Sequence, residues 1–384
     1  MNFTGLKYLI VGAGFFGSVI AERIANDLGE RVLVIDKRKH IGGNCYSEID
    51  QETGIEYHKY GPHIFHTSNE KVWNYINRFT EFNNYKYHVL SSYKNKNYQL
   101  PINLETINSF YEINLKPYEV DDFLKKEIEK EKIINPTNFE EKAISTIGRP
   151  LYEAFIEGYT KKQWGRDPKT LPSSIFNRLP FRKNYCESYF FDKWEGIPLN
   201  GYKQIFKNLL DSERIDLMLD TDFYTIKNNI PSSCLIIYSG PIDQFFDYRF
   251  GKLEYRTLEF EKEVLNIEDF QGNAVINYPE ISIPYTRVHE PKYFHPERLY
   301  TKDKTLIVRE YSKLDSGINP YYPVRTEENK NIVEKYLNER DKCKNVILGG
   351  RLGDYQYYDM HNVINSALTI FEEKIKKRQR IDKR

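Results

Sequence analysis

The strongest constraint on this chain lies close to its N-terminus. Lys7 to Val11 has the apolar pattern of a strand, and Gly12-Ala13-Gly14-Phe15-Phe16-Gly17 follows at once. Ser18 to Asn26 then has helical spacing, and RVLVID reads as a second strand ending at Asp36. In such a βαβ unit the first glycine makes the turn, the second lets a pyrophosphate approach the backbone, and the third lets helix pack on strand. The helix N-terminus offers N–H groups to phosphate oxygens. Asp36 stands where a carboxylate takes the ribose hydroxyls of a bound dinucleotide. Lys37, Arg38 and Lys39 leave a 2′-phosphate, and so NADP, as an alternative, which the charge on Asp36 opposes.

The rest of the chain must be built around that unit, and 384 residues leave room for two or three domains. Residues 104–180 carry helical periodicity, as in VDDFLKKEIEKEKI and NFEEKAISTIGRPLYEAFIEGYTKKQW. The Glu/Lys alternation at 125–132 reads as a solvated helix face, and Asn138 with Glu141 resembles a capping box. From 250 to 312 the pattern changes to short alternating runs such as NAVINY and KTLIVREY, typical of antiparallel strands. The C-terminal end returns to strand and helix. NVILGG is a buried-type strand and MHNVINSALTIFEEKIKK an amphipathic helix, so the nucleotide-binding domain is expected to be discontinuous.

Charge and cysteine usage narrow the function. Lys plus Arg (56) nearly cancels Asp plus Glu (55), so no net field favours nucleic acid or an anionic membrane, and any anion site must be local. Cys45, Cys186, Cys234 and Cys343 are far apart and form no CxxC pair, which speaks against a zinc knuckle, a redox dithiol or a disulfide framework and fits a reduced, cytoplasmic setting. The N-terminus reads as a strand and not as a signal peptide, and no apolar run approaches the roughly 20 residues that span a bilayer. The 31 tyrosines suggest surfaces that are both apolar and hydrogen-bonding. One stretch concentrates the question. YTKKQWGRDP places Tyr159 and Trp164 among Lys161, Lys162 and Arg166, either as a basic helix end or as the wall of a pocket for something flat and anionic.

VGAGFFG, KRKHIGGN, KYGPHIFHT, GYTKKQWGR, GIPLNGY, YSGPIDQFFDYRFG, YRTLEFE, QGNAVINY, PYTRVHE, PYYPV and GGRLGDYQYYDMHNVI occur in that order between residue 6 and about residue 370. Together they resemble the bacterial UDP-galactopyranose mutases. The resemblance implies an α/β, multidomain fold: a discontinuous FAD-binding Rossmann-like domain (1–80, 196–248 and 340–384), a helical domain with a mobile substrate loop (104–180), and a six-stranded antiparallel sheet domain (81–103 and 249–339). It also implies interconversion of UDP-galactopyranose and UDP-galactofuranose with reduced FAD, through a covalent adduct between flavin N5 and the sugar that opens to an iminium and recloses. An external electron donor and a homodimer come with it, as does a role in cell-surface polysaccharide biosynthesis. The sequence agrees with cofactor-borne chemistry in showing no GxSxG, no HExxH and no second glycine fingerprint.

Carried residue by residue, the resemblance assigns Gly12, Gly14, Gly17, Asp36, Gly42, Gly43, Asn44, Arg351, Asp359 and Met360 to the cofactor, Asp359 serving equally as a helix N-cap. His63 and His66 fall beside the isoalloxazine; their HxxH spacing also suggests zinc, but no further ligand lies near. Phe155, Tyr159, Thr160, Trp164, Tyr189, Asn277, Tyr322 and Tyr357 fall to the substrate, with Arg256 a weaker candidate. For Trp164, Tyr322 and Tyr357 the alternative reading is that of core aromatics. Arg178, on a loop flanked by Pro172 and Ser173-Ser174 and expected to close on UDP, and Arg287 should grip the diphosphate, where a guanidinium suits paired phosphate oxygens. The segments 84–97, 117–137 and 295–318 do not align with the family, which leaves open whether the sugar carries a 2-hydroxyl or a 2-acetamido group. A flavin oxidase or dehydrogenase and a non-catalytic UDP-sugar-binding protein stand as alternatives.

Overall fold

The structure is a computed structural model and describes residues 3–382. Five parallel strands form one sheet in the order Val346–Leu348, Leu235–Tyr238, Tyr8–Val11, Val32–Ile35, Ile215–Met218. Their sequences, YLIV, VLVI and LIIY among them, are apolar almost throughout because both faces of the sheet are covered. Ile10, Val34 and Ile237 join a core with helices Phe15–Asp27 and Met360–Ile370, while Leu9, Leu33, Ile35 and Tyr238 join a second core on the opposite face. Three separate stretches of chain build this sheet, so the discontinuity expected from the two ends of the sequence is a feature of the fold.

A second sheet runs in the order Tyr322–Pro323, Tyr255–Leu265, Thr305–Leu314, Arg287–His289, Val275–Asn277, Val89–Tyr93, Lys96–Leu100. It has seven strands where the resemblance implies six, and it is not wholly antiparallel. Val275–Asn277 pairs in parallel with Val89–Tyr93, because the hairpin that closes this edge comes from before the helical region and meets the strand in the same direction. Helix Glu327–Lys342 also departs from the expected domain limits. Those limits place most of it with this sheet, but Ile332, Val333, Tyr336 and Leu337 pack beneath the parallel sheet.

Helices Leu104–Tyr111, Val120–Glu129, Phe139–Ile147 and Gly158–Trp164 form a third layer around Leu104, Ile107, Leu124, Phe139, Ile144, Leu151 and Phe155. Asn138 caps its helix by accepting from the Glu141 N–H at 3.0 Å. The reciprocal half of the box is absent, since the Glu141 carboxylate receives the Thr137 N–H instead. Among the described residues no helix is long and apolar enough to cross a membrane.

Candidate active site

Two cavities meet where the three layers converge. The first, of about 690 Å³, lies at the carboxyl ends of the parallel strands and is lined by Gly12, Gly14, Asp36, Gly42, Gly43, Asn44, Arg351 and Met360. The second, of about 570 Å³, lies between the helical layer and the mixed sheet. His63, Tyr321, Arg351 and Met360 belong to the walls of both.

The glycines of the first cavity divide their work. Gly12 has a φ of +106°, and a Cβ there would fall 2.1 Å from Ser239 Oγ, so the turn admits no side chain. Gly14 has no such neighbour, its nearest contact being the Gly43 Cα at 3.8 Å; it is bare because the cavity lies over it. Gly17 does not line the cavity. A Cβ there would stand 2.0 Å from the Gly12 carbonyl oxygen, so its role is to let the helix start against the turn. Asp36 accepts from the Ala13 and Arg38 N–H groups, both at 2.8 Å, which holds its carboxylate at the strand end. The neighbouring cations do not converge on a 2′-phosphate site. Lys37 donates to the Ile318 carbonyl at 2.8 Å, Arg38 lies 4.3 Å over the Tyr60 ring, and Lys39 is 3.8 Å from Asp220.

In the second cavity the sheet register does the positioning. Asn277 is paired with Arg287, and Arg287 with Glu310, so three polar side chains stand in one row across three adjacent strands, and all three line the cavity. Arg287 Nε lies 3.5 Å from Glu310 Oε1, and its Nη2 donates to the Tyr159 hydroxyl. Burial opposes the charge on Arg287, but Glu310 and the nearby phenol oxygens outweigh it and raise its pKa well above the ordinary value. Burial likewise opposes the charge on Glu310, and Arg287 with His289 keeps it below the usual carboxylate range. Arg287 Nε, Asn277 Oδ1, Gln163 Oε1 and the Tyr321 hydroxyl are buried without a hydrogen-bond partner in the chain, as atoms awaiting a polar ligand would be.

Arg178 ends the turn Ser173–Arg178 and donates to Asp359, at 3.0 Å to Oδ1, and to the Tyr357 carbonyl at 3.3 Å. Tyr357 stacks on Tyr322 with ring centres 4.9 Å apart and planes 9° from parallel. Arg351 lies 5.3 Å from the Tyr322 ring and is held by the Tyr358 carbonyl. Phe155, Trp164 and Tyr189 complete the aromatic part of the wall, and Thr160 lies among them.

The two histidines are held separately. His63 Nδ1 is 2.7 Å from the Gly61 carbonyl, which can only accept, so Nδ1 carries the proton and Nε2 is left as an acceptor. Burial, with Arg351 adding to it, pulls His63 down to about 4, so it is neutral near pH 7. His66 Nδ1 is 2.6 Å from Asp192 Oδ2, and its ring stacks on Phe190 at 3.7 Å. Among the described residues no group of three or more His, Cys, Asp or Glu could hold a metal ion.

Arg256 does not belong to the site. It is 4% exposed, lines neither cavity, and donates to the carbonyls of Gln163 and Lys162 at 3.0 and 3.2 Å, holding the end of helix Gly158–Trp164. The cations of YTKKQWGRDP are likewise engaged elsewhere: Lys161 with Glu157, Arg166 with Glu254, and Lys162 with backbone carbonyls. Only the aromatics of that stretch, with Thr160 and Gln163, face the cavity. Conversely, Tyr87, Glu310 and the Asp192 partner of His66 carry no mark in the sequence that singles them out. Tyr87 and Glu310 fall in the segments that do not align, and only the alternation of VREYS marks Glu310 as one side of a strand.

Comparison with known proteins agrees with this arrangement. The family model for UDP-galactopyranose mutase matches residues 154–357, and that for an NAD(P)-binding Rossmann-like domain matches residues 10–79. The chain is 43% identical to a probable UDP-galactopyranose mutase of Klebsiella pneumoniae, covering 95% of this chain and 94% of that one. It is 42% identical to a dTDP-fucopyranose mutase of Escherichia coli, covering 94% and 96%. A crystal structure of reduced UDP-galactopyranose mutase superposes with a TM-score of 0.72 at 15% identity, over 95% of this chain and 93% of that one.

Proposed function

The chain belongs to the UDP-galactopyranose mutase family, a family of isomerases with a flavin-type Rossmann domain, and from that membership we propose that it interconverts UDP-galactopyranose and UDP-galactofuranose using reduced FAD. The observation that carries this reading is the row Asn277–Arg287–Glu310, which faces a cavity opening directly onto the glycine cradle.

The residues present fit FAD. Gly12, Gly14, Gly43 and Asn44 leave backbone open to a pyrophosphate, Asp36 would take the adenosine ribose, and the N-terminus of Met360–Ile370, where Asp359 and Asn362 form a capping box, brings its positive dipole end to the cavity junction. Bound there and reduced, FAD would supply a nucleophile for the anomeric carbon of the sugar. This chain supplies position and field. Arg287, rigid on its strand, and Arg178, carried on a loop that closes, neutralise the diphosphate as it departs and keep it in place for return. Tyr322 and Tyr357 donate their hydroxyls to the same phosphates. Tyr189, Phe155 and Trp164 give the base a stacking surface worth about 1–3 kcal/mol per ring. His63, neutral and with Nε2 unprotonated, is an acceptor beside the reacting centre; His66 holds the Tyr189 segment through Asp192. The four free cysteines fit a reducing compartment, and we place the protein in the cytoplasm, where an external donor keeps the flavin reduced.

The test is to reduce the yellow protein with dithionite, add UDP-galactose and chromatograph for the furanose isomer. UDP-N-acetylgalactosamine and dTDP-fucose, the latter suggested by the Escherichia coli relative, are run in parallel. A furanose product only from reduced enzyme supports the proposal. Hydrogen peroxide formed with net oxidation of the sugar would make the protein an oxidase, and UDP binding without turnover a binding protein.

A further inference from the structure

Lys162 lies on helix Gly158–Trp164 between two residues of the cavity wall, Tyr159 and Gln163, yet lines neither cavity. Its ammonium is surrounded by four backbone carbonyl oxygens, those of Tyr278, Glu280 (3.0 Å), Ile283 (2.9 Å) and Tyr285 (2.8 Å). All four come from one turn, the one joining strand Val275–Asn277 to strand Arg287–His289. Those strands carry Asn277 and Arg287, so the shape of the turn sets the row that faces the substrate.

An ammonium has three protons for these four acceptors, and the arrangement is that of a coordinated cation. Without a positive charge at the centre, four carbonyl dipoles would converge on one another, and of these oxygens the Glu280 one also takes the Ile283 N–H, at 3.2 Å. A second contact shows how closely helix and turn are fitted. A Cβ on Gly158 would fall 2.2 Å from the Pro279 carbonyl oxygen, so the helix backbone rests directly on the turn. Tyr159, next along the helix, then receives the Arg287 guanidinium. Burial pulls Lys162 down to about 8, with Glu280 acting the other way, and the side chain remains mostly protonated at neutral pH.

We propose that Lys162 is a positioning residue: an internal cation that gathers the turn 278–285 and thereby sets Arg287 against Tyr159 for the nucleotide diphosphate. The inference rests on the reading that Arg287 binds that diphosphate. It predicts a defect that a small cation with N–H donors repairs, which a purely space-filling lysine would not show.

The experiment compares wild type and Lys162→Ala, both FAD-loaded, for UDP affinity by calorimetry and for turnover of UDP-galactose. The variant is expected to keep its flavin, to bind UDP about tenfold more weakly and to lose at least as much in kcat/KM. Added n-propylammonium should restore most of both; tetramethylammonium, which has the charge but no donor, should not. Wild-type values in the variant, or a defect indifferent to propylammonium, would overturn the proposal. If alanine prevents folding, Lys162→Met, which keeps the stem, should show the same loss of UDP affinity, and normal affinity there overturns it. Should neither fold, full activity in wild-type protein acetylated at Lys162 would do so, and activity lost in step with that modification would support it. A wild type that binds no UDP counts against the proposed function; a wild type that binds beside an amine-indifferent variant counts against the cage.

Discussion

Arg178 rests on Asp359: its guanidinium donates to both carboxylate oxygens, at 3.0 and 3.3 Å, and lies 3.8 Å above the ring of Tyr357. The loop arginine is therefore held on the cavity wall by the residue that begins the last helix. A diphosphate entering the cavity exchanges one anionic partner for another, and the arginine need never be buried unpaired. Arg178→Ala should thus lose most turnover, on the order of 100-fold for one or two charge-assisted bonds at about 1.5–3 kcal/mol each. The protein should stay yellow, because Arg178 lines the second cavity and not the glycine cradle. Turnover and flavin absorbance measured on one preparation check this, and loss of both together would reassign Arg178 to the cofactor.

Arg287 differs in being paired with a buried carboxylate. Glu310 is 2% exposed, and removing the arginine leaves its carboxylate with two histidines that burial keeps neutral, His289 at 3.3 Å and His63. Breaking one side of such a pair costs about 3–5 kcal/mol. Arg287→Ala should lower the denaturation midpoint as well as abolish most turnover. Adding Glu310→Gln should recover most of the stability and none of the activity. If the double variant is no more stable than the single one, the destabilisation has another source.

Much of this site was legible in the sequence, and the exceptions share a cause. The glycine fingerprint with Asp36 is local, every residue fixed by its neighbours in one βαβ unit, and its place in the structure follows from the sequence alone. Arg256 and Arg287 look alike in sequence, each an arginine within a strand. Only tertiary packing shows that one faces helix-end carbonyls and the other the cavity. The Asp192 partner of His66 is 126 residues distant, and Glu310 gains its meaning only when Arg287 is seen beside it in register. The same holds for Lys162. A lysine in a basic stretch suggests an anion, and nothing local reveals that four carbonyls from a distant turn surround it.

His63 gives the protein an acid-sensitive element. Burial lowers its pKa from 6.5 to about 4, and buried His58, whose Nδ1 accepts the His63 backbone N–H at 3.0 Å, is lowered as well. As pH falls through 6.5 the unfolded chain takes up protons first, so stability is intact above that value and declines down to about 4. Thermal midpoints measured from neutral pH to pH 4.5 should fall. His63→Phe should flatten part of the fall, the remainder belonging to His58. An unchanged slope in that variant would mean that the proton goes elsewhere.

Gly14 and Gly17 allow the cofactor cradle to be separated from the fold. An alanine methyl at position 17 would lie 2.0 Å from the Gly12 carbonyl oxygen, in the turn pinned to Ile35, and 2.7 Å from the fully buried Ile10, and neither can retreat. At position 14 the nearest protein atom is 3.8 Å away, an ordinary contact, and the methyl projects into the space assigned to pyrophosphate. Gly17→Ala should therefore fail as a fold, with a lowered midpoint or insoluble protein. Gly14→Ala should melt like the FAD-free wild type while taking up little flavin, which absorbance at equal protein concentration reads directly. A Gly14→Ala protein as yellow as wild type would move the pyrophosphate off this glycine, because a methyl group and a phosphate oxygen cannot occupy the same place.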